Sequence, residues 1–383
     1  MAKEKAKVDK LMTANELAKR YPSSIIASDI QDMDLRIPSR SLAINYQTGG
    51  GAPYGKIMEL YGEESSGKTM MGLDYAYSTQ QLGGIVLIND AEQSFTKSWA
   101  LANGLDLDRI VLYNETRVEW VSDWIADMSI YWRSRLVNNE PILLLQDSMA
   151  AWDCLDNINS KMVDAKADMG NRAKAIYKMF RIRNELLTRL GIAQIYVNQL
   201  RKNLKAGLFE DPDTTPGGNA MKYYASIRQG FYGGKSLVRK IKGKDRRYGK
   251  LVTIRIKKNK VAPPGETIKK MPIYNHEKRV DYLGFDRYYG LPDILIDLDI
   301  ITKSSGGVYK YRGKTLVRGE EKLLQLIEED DDLRGKLIRK AGINTISQTR
   351  KQIESYKENR FPVAGASYKA HIDEEDEEDD GYE

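Results

Sequence analysis

The run Gly62-Glu63-Glu64-Ser65-Ser66-Gly67-Lys68-Thr69 has the residue types and spacing to hold a chain of phosphates. It follows a short β-prone stretch, Ile57 to Tyr61, and opens onto Met70 to Ala76, which reads as the first turns of a helix. This is the strand, loop and helix setting that the pattern G-x-x-x-x-G-K-[ST] requires. The two glycines let the backbone wrap a phosphate chain, while the loop N–H groups and the helix N-terminus lend it partial positive charge. Lys68 can reach the β and γ phosphates, and the Thr69 hydroxyl can ligate Mg²⁺. The chain is therefore expected to bind a nucleoside triphosphate, with ATP and Mg²⁺ as the pair.

Hydrolysis needs more than a phosphate loop: a second metal-side carboxylate and a group that prepares water. Ile142-Leu143-Leu144-Leu145-Gln146-Asp147 places Asp147 at the end of a buried strand, where it can hold the metal's water shell. Gln146 is unusual in so apolar a run. Asn89-Asp90-Ala91-Glu92 ends another strand, and a carboxylate there can polarise a water in line with the γ-phosphate. Asn198-Gln199 ends a third, where an amide can bond the γ-phosphate and report its presence to the loop that follows. Each of these alone has a plainer reading, an acid starting a loop or an amide capping a turn.

The elements that position these groups alternate. Strands are expected at Ile57 to Tyr61, Ile85 to Asn89, Ile110 to Tyr113, Ile142 to Gln146 and Ile192 to Asn198, with helices between them such as Val118 to Val137 and Lys166 to Leu190. Such alternation predicts an α/β fold with a mostly parallel central sheet flanked by helices, and ligand groups gathered at the carboxyl ends of strands. Leu200 to Asn219 fits neither period, and a loop of that length inside a compact domain is usually functional. Ile227 to Tyr232, Leu251 to Lys257 and Met271 to Tyr274 read as further strands, expected to be antiparallel because no helices connect them. Between Lys235 and Lys260 stand twelve Lys or Arg and one acid, Asp245, a segment that is either an insertion or a duplex-facing patch.

Both ends look separate. Leu11 to Tyr21 forms an amphipathic helix candidate, with Thr13 and Glu16 at capping-box spacing and an apolar face that needs a partner, either its own core or a neighbouring subunit. Beyond Asp286 a smaller unit is expected, with helices near Leu291 to Leu298, Glu320 to Glu329 and Leu333 to Ala341 and a hairpin through Arg312-Gly313. The expected division is 1–34, N-terminal helix and linker; 35–285, the ATPase core; 286–360, a small C-terminal α/β domain; and 361–383, a disordered acidic tail.

Composition sets the outer bounds. No apolar run approaches the length of a membrane span, the charged start lacks the apolar stretch of a signal peptide, and Cys154 is the lone cysteine, so a reducing, cytoplasmic setting is expected. The formal net charge is +6, but Asp373 to Glu383 holds nine acids and no base, so the remainder stands at +15. A basic body with an acidic tail points to a polyanionic partner and an internal competitor for it. A merely solubilising tail is the plainer alternative.

Taken in order, five motifs resemble the RecA recombinases: Gly62 to Thr69; Asp90-Ala91-Glu92; Asn198-Gln199-Leu200-Arg201; Thr215 to Ser226; and Lys258-Asn259-Lys260. The likeness runs from about Leu35 to Leu298, and the acidic tail is similar too. The resemblance implies that Lys68 and Thr69 serve phosphate and magnesium, Glu92 activates water, Asp147 is the second metal-side acid and Gln199 senses the γ-phosphate. Trp99 falls where the family places a tyrosine that stacks on adenine, a role tryptophan preserves. Thr96 replaces an adenine-contacting aspartate.

The resemblance also implies two DNA-binding stretches. The first includes Met169, Gly170, Asn171 and Arg172 and continues to Lys174 and Arg181. It is about two residues longer than in the family. The second is Leu200 to Gly218, with Arg201, Lys202 and Lys205 for phosphates and Leu204, Leu208 and Phe209 as wedges between bases. Gly217, Gly218 and Asn219 would let backbone N–H groups approach phosphate. Lys258 and Lys260 match residues that reach the ATP of a neighbouring protomer.

The expected function is a DNA-dependent ATPase that forms helical filaments on single-stranded DNA and pairs it with a homologous duplex. Single-strand-binding and loader proteins are further expected partners, and no membrane is. A helicase of the same core and a non-catalytic mediator using ATP as a switch are the rivals; a nucleotide kinase lacks its arginine-rich lid.

Overall fold

The computed structural model describes residues 33–159, 168–202, 213–217, 219–263, 265–275, 282–356 and 358–361. The chain divides into Met1–Asp34 and Leu35–Glu383, and the described elements belong to the second unit. The helix expected at Leu11 to Tyr21 and the acidic segment from Asp373 lie outside the described residues.

A sheet of nine strands organises that unit. Five are the alternating apolar runs: β1 (Ile57–Gly62), β2 (Ile85–Asp90), β3 (Ile110–Tyr113), β4 (Ile142–Asp147) and β5 (Ala193–Gln199). Then come β6 (Ile227–Ile241), β7 (Lys244–Asn259), β8 (Ile268–Tyr274) and β9 (Gly284–Phe285). In space they run β9-β8-β7-β6-β1-β5-β4-β2-β3. β6, β1, β5, β4, β2 and β3 are mutually parallel. Every residue of β1, β2 and β4 is buried, as a parallel strand covered by helices on both faces demands.

The expected direction of Ile227 to Tyr232 is corrected here. This strand is parallel to β1, Ile227 opposite Met58 through Phe231 opposite Gly62, and antiparallel only to β7. The chain after β5 crosses back through Leu200 to Asn219 and the one-and-a-bit turns of α7 (Ala220–Tyr224), so no long helix marks the return. β7 and β8 are antiparallel as expected.

Helix α1 (Leu42–Thr48) precedes β1; α2 (Lys68–Gln81) follows the phosphate loop, α3 (Lys97–Ala102) follows β2, and α4 (Val118–Arg133) joins β3 to β4. After the short α5 (Leu155–Asn159), α6 (Asp168–Arg189) leads into β5. Aliphatic side chains on alternate strand positions fill two layers: Ile88, Leu145 and Val197 pack toward α2, and Leu87, Leu144 and Tyr196 toward α4 and α6. The C-terminal part has its own core of Leu291, Leu295, Tyr309, Leu323, Ile327 and Leu337. It is built from α8 (Leu291–Asp297), the hairpin meander β10 (Ile301–Lys303), β11 (Val308–Tyr311) and β12 (Lys314–Arg318), then α9 (Glu320–Glu329) and α10 (Asp331–Ala341). A last helix, α11 (Ile346–Ser355), returns to the main core through Ile353.

Candidate nucleotide and nucleic-acid site

Four parallel strands, β1, β2, β4 and β5, bring their carboxyl ends to one edge, and each ends in a residue of the expected chemistry. After β1 the chain turns through Glu63 to Gly67 and enters α2 at Lys68. Gly67 sits at φ 99°, the left-handed region that glycine reaches without strain. Gly62 is needed for a different reason: a Cβ there would meet the Phe231 carbonyl oxygen of β6 at 2.1 Å. Ser66 is buried, its hydroxyl donating to the Glu63 carbonyl at 2.7 Å, while Glu63, Glu64, Ser65 and Thr69 line the exposed rim and Met70 packs beneath.

The Lys68 ammonium donates to the carbonyls of Gly62, at 3.1 Å, and Glu63, at 2.6 Å, so it crosses the mouth of its own loop. Burial lowers its pKa, against the pull of Asp147 and Glu92. The Thr69 hydroxyl donates to Asp147 Oδ2 at 2.7 Å. Burial is the main reason the Asp147 carboxyl is pushed up to about 6; the neighbouring Glu92 and Asp90 add to it and the Thr69 bond opposes it. Two hard oxygen donors side by side fit Mg²⁺, which binds few protein ligands and keeps waters and phosphate oxygens for the rest. Among the described residues no group of three or more His, Cys, Asp or Glu gathers as a closed metal cage, in keeping with that mode.

Beyond β2 the two acids part. Asp90 is buried and accepts from the backbone N–H of Ser94 and Phe95 at 3.1 and 2.7 Å, shaping the turn. Glu92 is exposed, and its Oε1 accepts from the Ser148 hydroxyl and from Gln199 Nε2 at 3.4 Å. Ser148 thus orients the candidate base, a role its sequence position beside Asp147 does not reveal, because the contact spans two strands. The two amides after β5 part likewise. Asn198 is buried, donating to Glu59 Oε1 and the Pro216 carbonyl at 3.1 Å each, and only Gln199 faces the site.

Thr96 and Trp99 line one recess with Thr69, Asp90 and Asp147. Thr96 caps α3, its hydroxyl accepting from the Trp99 N–H at 3.3 Å, and the Trp99 side chain is exposed. Lys258 and Lys260 stand elsewhere. Lys258 pairs in register with Arg228, itself beside Glu59, toward the amino end of β1. Within one chain the two lysines are therefore at the opposite end of the strands from the phosphate loop. Lys258 donates to the carbonyls of Lys222, at 2.5 Å, and Tyr223, at 3.3 Å, and burial lowers its pKa, with Lys260 and Arg228 adding to the effect.

The candidate DNA residues divide. Met169 to Arg172 belong to the first turns of α6. Arg172 turns inward, donating to the carbonyls of Met149 and Ala150 at 2.9 and 2.8 Å. Lys174 and Arg181 share a concavity with Gly217 and Asn219, so the two stretches do meet; Tyr177 and Lys178, unremarked in the sequence, complete it. Tyr177 and Tyr223 are exposed aromatics there or beside it. Arg201-Lys202 pairs with Asp213-Thr214 as a small ladder that closes the second loop at its base. Leu204, Lys205, Leu208, Phe209 and Gly218 lie outside the described residues.

Comparison with known proteins bears on the same residues. Residues 13–277 match the family described as the RecA N-terminal domain. The chain is 33% identical over 315 residues to Protein RecA of Tropheryma whipplei, covering 81% of this chain and 67% of that protein. It is 32% identical over 318 residues to Protein RecA of Porphyromonas gingivalis, covering 82% and 86%, and 30% identical over 331 residues to Protein RecA of Bifidobacterium breve, covering 86% and 79%. With phosphate loop, paired carboxylates and sensor amide on one sheet edge and the match spanning most of the chain, this protein belongs to the RecA family.

Proposed function

We propose that the edge formed by β1, β2, β4 and β5 is the ATPase centre of a filament-forming recombinase and that each residue there has a separate task. Family membership makes the chain an ATP-dependent recombinase of homologous pairing and strand exchange. Lys68 and the loop N–H groups hold the phosphates; Thr69 and Asp147 hold Mg²⁺, which supplies charge neutralisation at the β and γ oxygens. Glu92, oriented by Ser148, takes the proton of the attacking water. Trp99 offers its ring to adenine.

The observation that carries this reading is the Gln199 amide reaching Glu92 at 3.4 Å while standing at the root of the second loop. Gln199 can bond either Glu92 or a γ-phosphate, so nucleotide occupancy and loop position exchange through one side chain. Single-stranded DNA lies along Lys174, Arg181, Arg201 and Gly217 to Asn219, with Tyr177 as a stacking surface. Lys258 and Lys260, remote from their own phosphate loop, reach the ATP of the next protomer. Single-strand-binding and loader proteins act on this filament from outside.

Strand exchange between labelled single-stranded and duplex oligonucleotides, homologous or unrelated, tests the reading with ATP and with a slowly hydrolysed analogue. Homology-dependent exchange supported by the analogue is expected, because pairing requires ATP binding but not turnover. Unwinding that needs hydrolysis and ignores homology would replace the reading with a helicase; DNA binding with neither would leave a mediator.

A further inference from the structure

The twelve-cation segment has a definite form. β6 pairs with β1 only from Ile227 to Phe231, and β7 pairs with β8 only from Gly249 to Ile254. Beyond those limits the two strands continue as a two-stranded ribbon, with Val238 opposite Arg247, Arg239 opposite Arg246, Lys240 opposite Asp245 and Ile241 opposite Lys244. Lys242 and Gly243, at φ 50° and 70°, close it in the tight turn that suits a twisted hairpin. Ten residues, 238–247, carry six Lys or Arg and one acid.

This charge works against the ribbon's own pairing. Arg239 directly opposite Arg246 is a like-charge pair, which weakens a ladder, and a lone two-stranded ribbon is marginal to begin with. The ribbon also leaves the sheet at a telling place. β6 runs parallel to β1 and continues past it where β1 becomes the phosphate loop, and Glu63 of that loop accepts from the Gly233 N–H at 3.1 Å. The ribbon therefore projects from the same edge as the ATP site and the second loop.

We propose that this ribbon is an arm that captures double-stranded DNA through its phosphates, delivering it to the strand held at the loops. The proposal rests on the recombinase reading and adds to it a surface. A duplex fits better than a single strand: between Lys235 and Arg247 there is no Phe, Tyr or Trp to stack on an unpaired base. A two-stranded ribbon matches the width of the major groove, and cations on both of its faces can meet the phosphates of both strands. Contacts of this kind carry no sequence preference, which is what a search for homology requires of the first encounter.

The test uses the full chain with Lys240→Gln, Lys242→Gln, Lys244→Gln, Arg246→Gln and Arg247→Gln combined, and a second variant with the three lysines replaced by arginine. Filaments are formed on an unlabelled single strand with the slowly hydrolysed analogue, and capture of a fluorescein-labelled duplex of unrelated sequence is followed across a salt series. Neutralisation is expected to weaken capture by about tenfold or more and to flatten the dependence of log affinity on log salt by ~0.9 for each phosphate the ribbon no longer neutralises. The arginine variant is expected to retain capture, and single-strand-stimulated ATP hydrolysis to stay within about twofold in both. Unchanged duplex capture would overturn the proposal and leave the charges as protection against edge-to-edge pairing. Loss of single-strand binding in equal measure would overturn it too, assigning the ribbon to the first strand. If the unaltered protein fails on single strands and exchange altogether, the recombinase reading fails, and duplex binding by the free protein, altered against unaltered, still decides what the ribbon does.

Discussion

Glu92 and Asp147 show how two carboxylates that are close in space are set to different work. Glu92 stands in solvent and is steered by Ser148 and Gln199, whereas Asp147 is buried against Thr69. Glu92→Gln keeps the shape and hydrogen bonding of the side chain but cannot accept the water's proton. Turnover is expected to fall by about 10²-fold or more while filament assembly on single-stranded DNA with ATP persists; equal loss of both would contradict the assignment. Asp147 makes a signed prediction about the nucleotide-free protein. Its carboxyl is raised from 3.8 to about 6 in the folded state, so the stability it contributes is complete below the ordinary value and is lost as pH rises through about 6. At pH near 8, with chelator and no nucleotide, the buried charge costs at most about 3 kcal/mol. Asp147→Asn is expected to raise Tm there by a few degrees, to give no gain near pH 4, and to forfeit the stabilisation by Mg²⁺ and ATP. An Asn variant no more stable than the parent at pH 8 would remove burial as the cause.

At the scale of elements, the ends of the parallel strands were legible because each is an apolar run closed by an acid or amide at the sheet edge. Ile110–Tyr113 has the expected limits and the other four differ by a residue or so at an end. What could not be read depends on partners far along the chain. The direction of β6 is set by its pairing with β1, the inward turn of Arg172 by two carbonyls after β4, and the ribbon by where the pairing of β6 with β1 and of β7 with β8 stops. α11 is a further case, a polar-looking segment whose strong anchor in the main core is Ile353. Its exit is fastened by Asn139, which donates to the carbonyls of Tyr356 and Asn359 at 3.1 and 2.9 Å and accepts from the Phe361 N–H at 3.1 Å. The Phe361 ring stacks on Tyr54 at 5.9 Å, lies 5.2 Å from the Arg133 guanidinium and covers Gly191, where no Cβ would fit. Gly191, Lys56 and Pro141 are at the amino ends of the strands, so this latch sits opposite the ATP edge. Phe361→Ala is expected to cost about 2 kcal/mol and to speed tryptic cleavage after Arg360 by roughly tenfold, with ATP turnover unchanged. Cleavage at the parental rate would mean that the asparagine clasp alone holds the segment.

For the whole molecule the governing quantity is the distribution of charge. Among the described residues no helix is long and apolar enough to cross a membrane, and the large charged surfaces are those of the ribbon, the loop stems and the C-terminal meander with Lys303, Lys310, Lys314 and Arg318. Set against them are the nine acids of Asp373 to Glu383, which reduce the formal charge from +15 to +6. A tethered polyanion competes with DNA phosphates at an effective concentration fixed by its tether, so its influence is greatest for the weaker-held partner, the incoming duplex. A chain ending at Ile372 is accordingly expected to take up duplex more readily at low salt and to show a steeper fall with added salt, because every cation it exposes must then exchange a counterion rather than a tail carboxylate. Single-strand binding through the loops, held by stacking as well as charge, should change far less. Equal uptake by the full and shortened chains at every salt concentration would leave the acidic segment a solubilising end with no hand in DNA exchange.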